Sequence, residues 1–227
     1  MLVVVEGLDG SGKSTQVGRL REYLKSRFGD VEYIHFPRYD APVYGELIGR
    51  FLRGEFGAVD QVHPQLVALL YAEDRHGALP VMKSRLEAGV PVLLDRYVYS
   101  NIAYQCAKTH SKEESDSLRK WIFDTEFGVF GLPRPDLNIF LDVPVSFVEK
   151  SLAKGREGAD RDYLSDSSSE DIHESSIAFQ KAVRQVYLEQ CGLDSQFVRV
   201  DCSAPDGSME GPDEIFRRIL DVAGSVL

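Results

Sequence analysis

The sequence predicts an α/β fold: a three-layer sandwich in which a five-stranded parallel sheet is flanked by helices. Two observations carry this. Five short aliphatic or β-branched runs, Leu2–Glu6, Val31–His35, Pro91–Asp95, Leu137–Asp142 and Phe197–Asp201, read as buried strands. Longer stretches of helical periodicity separate them, the alternation that produces a sheet covered on both faces. A third observation fixes the chemistry at one end. The first run leads straight into Gly7-Leu8-Asp9-Gly10-Ser11-Gly12-Lys13-Ser14-Thr15, the spacing of glycine, four residues, glycine, lysine and hydroxyl.

In chain order, the first strand and this loop are followed by a helix over Lys13–Phe28, amphipathic from Gln16 onward. The glycines let consecutive backbone N–H groups curl around an anion, and the helix presents its positive end to it. Lys13 reaches outer phosphates, and the Ser14 hydroxyl suits Mg²⁺. The loop therefore points to a nucleoside triphosphate. The second strand is followed by Phe36-Pro37-Arg38-Tyr39 and a helix over Val43–Arg53. A long helix over Pro64–Ala88 carries Tyr71 and Arg75, whose spacing of four places both on one face. A ring that stacks on a base and a guanidinium one turn away make a nucleobase pocket.

The third strand ends in Asp95-Arg96-Tyr97. A carboxylate there orients Mg²⁺ or its water; hydrolytic ATPases typically follow it with an acid that activates water. Here an arginine follows. It suits charge moving between two phosphates, and hence transfer to a second phosphate. A helix over Ser100–Ala107 carries Asn101, Tyr104 and Gln105, with the two amides again four apart. Helices over Glu113–Phe127, Val145–Lys154, Asp171–Gln190 and Pro212–Val222 complete the alternation. Between the second and third of these helices, residues 154–170 show glycines, charges and a serine run with no core face, and read as a mobile lid. Its Lys154, Arg156 and Arg161 are candidates to neutralise phosphate charge. Four strands end in or beside a polar residue (Glu6, His35, Asp95, Asp142), and in such sheets ligands gather at the strands' carboxyl ends.

Composition bounds the remaining possibilities. With 227 residues and 43% apolar content, the chain reads as one domain over residues 1–227. A net charge of −10 opposes a general polyanion-binding surface, so no nucleic-acid partner is expected. Cys106, Cys191 and Cys202 are few and lack metal-ligand spacing, which fits buried thiols in a reducing compartment. The first apolar run stops at Glu6, and no later run is long enough for a membrane span. A cytoplasmic protein with no membrane partner is the expectation.

Taken together, these residues resemble the thymidylate kinases, which transfer the γ-phosphate of ATP to thymidine monophosphate (dTMP). The likeness covers nearly the whole chain. It rests on Glu6 to Thr15, Phe36-Pro37-Arg38, the helix ending in Arg75, and Asp95-Arg96-Tyr97 with Ser100, Ala103, Tyr104 and Gln105. Leu132-Pro133-Arg134-Pro135-Asp136-Leu137 and Asp171-Ile172-His173-Glu174 follow in the family's order. The resemblance implies that residues 7–15 (Gly7, Asp9, Gly10, Ser11, Gly12, Lys13, Ser14 and Thr15 among them) hold ATP, with Mg²⁺ at Ser14 and Asp95. Asp9 would contact the acceptor's 3′ side and its metal environment. Arg38 and Arg96 would position the acceptor phosphate, with Phe36, Tyr39 and Ser100 beside them. Tyr71 would stack on thymine, Arg75 would bond O4, Asn101 or Gln105 the N3 edge, and Tyr104 would crowd the ribose 2′ position. Glu174 would approach the 3′-hydroxyl or the metal.

In the family the catalytic basic residue comes from the phosphate loop or from the lid. Since Leu8, Asp9, Gly10 and Ser11 are not basic, the lid must supply it, with Arg156 first and Arg161 second. The chain departs from the family at Tyr71, where many members carry phenylalanine, and at His173, where some carry tyrosine. The family also implies a homodimer. Two alternatives have weaker support. A deoxynucleoside kinase needs a base for its neutral hydroxyl, usually a carboxylate after the first or second strand, where Arg38 stands instead. A GTP-dependent switch reads guanine with Asn-Lys-x-Asp, whereas Asn101 and Asn138 are each followed by isoleucine.

Overall fold

All six residues of β1 (Leu2–Gly7) are buried, as a strand flanked by neighbours and covered on both faces must be. In the computed structural model, which describes residues 1–59, 61–153, 176–224 and 226, it lies at the centre of one parallel sheet. The other strands are β2 (Glu32–His35), β3 (Val92–Asp95), β4 (Leu137–Asp142) and β5 (Phe197–Asp201), in the order β2-β3-β1-β4-β5. Val5 is in register with Asp95 and Gly7 with Leu141. The loops leaving β1 and β3 therefore emerge side by side.

The helices are α1 (Lys13–Phe28), α2 (Tyr44–Leu52), α3 (Pro64–Glu87), α4 (Val98–Cys106), α5 (Lys112–Phe123), α6 (Val145–Ala153), α7 (Ile177–Leu193) and α8 (Pro212–Ala223). Each of the five expected strands and eight expected helices has a counterpart; several boundaries shift by one to a few residues, and three of the shifts have a visible physical cause. First, α4 starts at Val98 rather than Ser100, because the Glu6 carboxylate accepts the Tyr97 and Ser100 backbone N–H groups (2.9 and 3.2 Å) and caps the helix from a distance. Second, α5 does not run to Phe127: it stops at Phe123 and continues as a wider π turn over Asp124–Val129. Third, α7 begins at Ile177 among the described residues, with the Ser176 hydroxyl accepting from Phe179 N (3.2 Å). Residues 171–175 of the expected Asp171–Gln190 helix lie outside the described residues.

A single apolar core joins the sheet to α1 on one side and to α4, α5 and α7 on the other; a second, smaller cluster of Ile48, Phe51, Leu52 and Val67 locks α2 onto α3. Cys106 and Cys202 are buried free thiols, but Cys191 is partly exposed, contrary to the expectation of three buried thiols. Among the described residues, no helix is long and apolar enough to cross a membrane.

Candidate active site

The turn after β1 is built on left-handed glycines, Gly10 at φ 71° and Gly12 at φ 74°, a conformation that side-chain-bearing residues avoid. A Cβ at Gly10 would also press within 3.1 Å of Ser151 Oγ on α6. Gly12 caps α1, so the helix presents its unpaired N–H groups to the hollow of the loop. Lys13 is buried, and its ammonium donates to Asp95 at the end of β3. His35 Nδ1, at the end of β2, lies 3.3 Å from the other Asp95 oxygen. Burial alone would raise the Asp95 carboxyl, but Lys13 and His35 outweigh it and hold Asp95 well below the usual carboxylate range. Burial in turn lowers the Lys13 ammonium, against the pull of Asp95. Ser14 and Thr15 are exposed on the first turn of α1, and Ser11 Oγ is buried without a hydrogen-bond partner among the described residues.

One residue further along β3, Arg96 reaches across the gap between strands. Its backbone sits at φ 67°, and its guanidinium donates to Gly7 O (2.9 Å), Ser100 Oγ (3.2 Å) and Asp9 Oδ1 (2.7 Å). Burial works against that charge, yet the acids around it, Tyr104 and Asp9 first, hold the guanidinium well above its ordinary value. Asp9 is a hub. Besides Arg96 it accepts from Tyr104 OH (2.6 Å) and Gln180 Nε2 (3.2 Å), so the phosphate loop, β3, α4 and α7 meet at one carboxylate.

The residues expected to form a base pocket lie on α3 and α4, with Arg38 and Tyr39 beyond β2. Arg38 is aimed by Asp74, which accepts from its backbone N (2.9 Å) and Nε (2.9 Å), while Nη2 donates to Asp74 O (2.5 Å). Its guanidinium stands 6.0 Å from the ring centre of buried Phe36. Tyr39 and Tyr71 pack, half-buried, against the α2–α3 cluster. Arg75 is fully buried and paired with Glu126 through Nε (2.5 Å) and Nη2 (2.7 Å). Asn101 Nδ2 donates to Ala68 O (3.0 Å) and Glu126 Oε1 (2.8 Å). Gln105 faces differently: its Oε1 accepts from Lys108 Nζ (2.9 Å).

Asp142, singled out as a strand-end acid, is committed elsewhere. Its buried carboxylate takes Arg184 Nε (2.6 Å) and Nη2 (2.8 Å), and Arg199 Nε (2.7 Å), tying α7 and β5 to β4. The expected lid over 154–170, with Lys154, Arg156 and Arg161, lies outside the described residues, as do His173 and Glu174.

The profile of the family described as "Thymidylate kinase" matches residues 5–210. The chain belongs to the thymidylate kinase family. Among its relatives, thymidylate kinase of Mycobacterium tuberculosis (strain H37Rv) is 32% identical over 189 residues, spanning 83% of this chain and 85% of that protein. Thymidylate kinase of Schizosaccharomyces pombe is 30% identical over 225 residues, spanning 99% and 92%. The solved structure of thymidylate kinase from Candida albicans superposes with a TM-score of 0.72 at 26% identity, covering 99% of this chain and 91% of that one.

As a member of the thymidylate kinases, an ATP-dependent nucleoside monophosphate kinase family, this chain places its motif residues around two paired strand ends. What the motifs do not announce is the set of acids behind them. Asp74 aims Arg38, Glu126 holds Arg75 and Asn101, and buried Glu6 accepts from the Ser100 hydroxyl and from Tyr187 OH (3.1 Å). Glu6 alone carried a signal, a charge closing a buried strand. Asp74 and Glu126 sit in helical sequence, where an acid ordinarily faces water.

Proposed function

We propose that this thymidylate kinase transfers the γ-phosphate of ATP to dTMP, giving dTDP for dTTP synthesis, with residues 1–227 acting as one domain. The observation that carries the reading is the pairing of strand ends. Lys13 with Asp95 and Asp9 with Arg96 bring a triphosphate loop and an arginine-rich acceptor side to adjacent strands β1 and β3. Donor and acceptor phosphates then share a single charged seam.

The chemistry asks little of a base. The acceptor phosphate oxygen is already ionised at neutral pH, with a second pKa of about 6 for a phosphate monoester, so positioning and charge neutralisation dominate. In this reading the loop N–H groups and Lys13 hold the donor phosphates, Arg38 holds the acceptor phosphate, and Arg96 spans both. Ser100 serves by holding the Arg96 guanidinium, and Phe36 and Tyr39 wall the acceptor. Tyr71 stacks on thymine, Arg75 donates to O4, and Tyr104, anchored on Asp9, crowds the 2′ position in favour of deoxyribose. Between the two amides offered by the sequence, Asn101 suits N3 better, because its Oδ1 is buried without a partner among the described residues while Gln105 is engaged by Lys108. Arg156, then Arg161, supply the remaining positive charge, and Glu174 meets the 3′-hydroxyl side; these three assignments rest on sequence.

The donor set fits Mg²⁺. The exposed Ser14 hydroxyl and the Asp95 carboxylate, with Asp9 nearby, are hard oxygen ligands, and no described group of three or more His, Cys, Asp or Glu side chains forms a cage that would hold a metal without phosphates. When bound, the ion neutralises phosphate charge. A homodimer is part of the same proposal: α3 leaves Leu66, Leu69 and Val81 exposed, an apolar surface suited to a second copy. Light scattering on a sizing column reads this directly, and a mass of one chain would overturn it.

The test of the function is ADP release coupled to a reporter, with ATP and Mg²⁺, comparing dTMP, thymidine, dUMP and UMP. The expected result is activity led by dTMP. Activity on thymidine with none on dTMP would make the protein a nucleoside kinase and overturn the roles given to Arg38 and Arg96.

A further inference from the structure

Thymine presents an N3–H donor beside the O4 acceptor, whereas cytosine presents an N3 acceptor beside a 4-amino donor. A protein edge that reads thymine must therefore set an acceptor opposite N3 and a donor opposite position 4. An asparagine amide offers either group, and only its neighbours decide which one faces the ligand.

Here the neighbours leave no choice. Asn101 Nδ2 faces two acceptors, Ala68 O at 3.0 Å and Glu126 Oε1 at 2.8 Å, so a flipped amide would set Oδ1 against both. Its Oδ1 is buried and has no partner among the described residues. The same Glu126 carboxylate takes Nε and Nη2 of Arg75 at 2.5 and 2.7 Å, which leaves Nη1 as the guanidinium nitrogen outside this bidentate pair. Arg75, Asn101 and Glu126 are 2%, 3% and 0% exposed, so water does not compete for these positions. Glu126 is the buried residue of the π turn that follows α5, and such turns are rare and concentrate at functional sites.

We propose that Glu126 is a positioning residue that sets the polarity of base reading: it fixes Asn101 as an acceptor and Arg75 as a donor, selecting a thymine-type edge over a cytosine-type edge. The proposal rests on the dTMP kinase reading above. It follows that uracil, which shares the N3–H and O4 edge, lies outside the control of Glu126. In Glu126→Gln a single amide oxygen replaces two acceptor oxygens facing three N–H donors, so either Arg75 or Asn101 is released. When the new NH₂ faces Asn101, that amide turns and offers Nδ2 to the base.

The experiment compares wild type, Glu126→Gln and Glu126→Asp by coupled ADP release on dTMP, dUMP and dCMP, with dCMP also measured as a competitor of dTMP. Glu126→Asp keeps the charge on buried Arg75 and protects the fold while shortening the reach to Asn101, so the proposal is read in whichever variants melt cooperatively. The expected result is a dTMP KM raised by about tenfold or more with kcat largely kept, and a dTMP-over-dCMP preference narrowed by a similar factor. The dTMP-over-dUMP ratio is expected to stay as in wild type, which a general loosening of the pocket would not produce. Unchanged dTMP KM and unchanged dTMP-over-dCMP preference in a folded variant, with wild type active on dTMP, would overturn the role of Glu126 alone. A wild-type protein inactive on dTMP would overturn the underlying reading, and the role with it.

Discussion

Arg96→Ala is expected to lower kcat by about a thousandfold, the lower end of what a charge-stabilising arginine contributes to phosphoryl transfer. The guanidinium touches the phosphate loop at Gly7 O, the Asp9 carboxylate and Ser100, so its charge is already in place before any phosphate arrives. Such preorganised charge loses no reorganisation energy during transfer. The substitution is also clean in the backbone. At φ 67° the left-handed penalty of roughly 1–2 kcal/mol applies to arginine and alanine alike, so the side chain is removed without new strain. Arg96→Lys keeps a positive charge but not the fork that spans three acceptors, and is expected to restore only a small part of the turnover. Arg156→Ala is expected to lose turnover with little change in dTMP KM. Steady-state rates, normalised to the folded fraction from a thermal melt, decide the matter: a folded Arg96→Ala enzyme within about threefold of wild-type kcat removes Arg96 from the reaction.

Glu6→Ala is expected to destabilise the fold by about 3–5 kcal/mol, the range for breaking a buried, fully partnered charge. Four donors converge on this carboxylate: the Tyr97 and Ser100 N–H groups, the Ser100 hydroxyl and Tyr187 OH. For a chain of this size the shift in melting temperature is roughly 10 °C, on the usual scale of about 2–4 °C per kcal/mol. A pH signature accompanies it. Burial raises the Glu6 carboxyl above its ordinary 4.5, more than Ser100, Arg96 and Tyr187 pull it back. A carboxyl raised in the folded state favours folding fully below the unfolded value and loses that contribution as pH rises through the folded value. Glu6→Gln removes this titration, so its melting temperature is expected to change less than that of wild type as pH rises above 4.5. Calorimetry at several pH values checks both claims, and a Glu6→Ala melt within a degree or two of wild type defeats the first.

How much of this was legible in the sequence depends on where each structural cause sits along the chain. α1 was readable to the residue because its cause is local: left-handed Gly12 begins it and left-handed Gly29 ends it. β4 and β5 were equally readable as short apolar runs. The start of α4 was not, because the group that caps it stands 91 residues earlier. Likewise residue type and spacing singled out Arg38, Arg75, Arg96 and Asn101 as candidates, but not the acids that aim them. Arg75 is held from 51 residues away by an acid on a π turn, where helical periodicity places no inward side chain. Asp142 shows the converse error. A strand-end acid looks functional in sequence, yet two arginines from α7 and β5 consume it.

Asp9 belongs to the loop proposed to hold the donor, and its oxygens accept from Arg96 and Tyr104, proposed to meet the acceptor, and from Gln180 on α7. Any shift of the loop as it closes on a triphosphate alters these three bonds, and any pull of the acceptor on Arg96 or Tyr104 is felt by the loop. On the proposed assignments, the two nucleotides are coupled thermodynamically through this one carboxylate. Whatever factor the donor adds to acceptor affinity, the acceptor must return to the donor in equal measure.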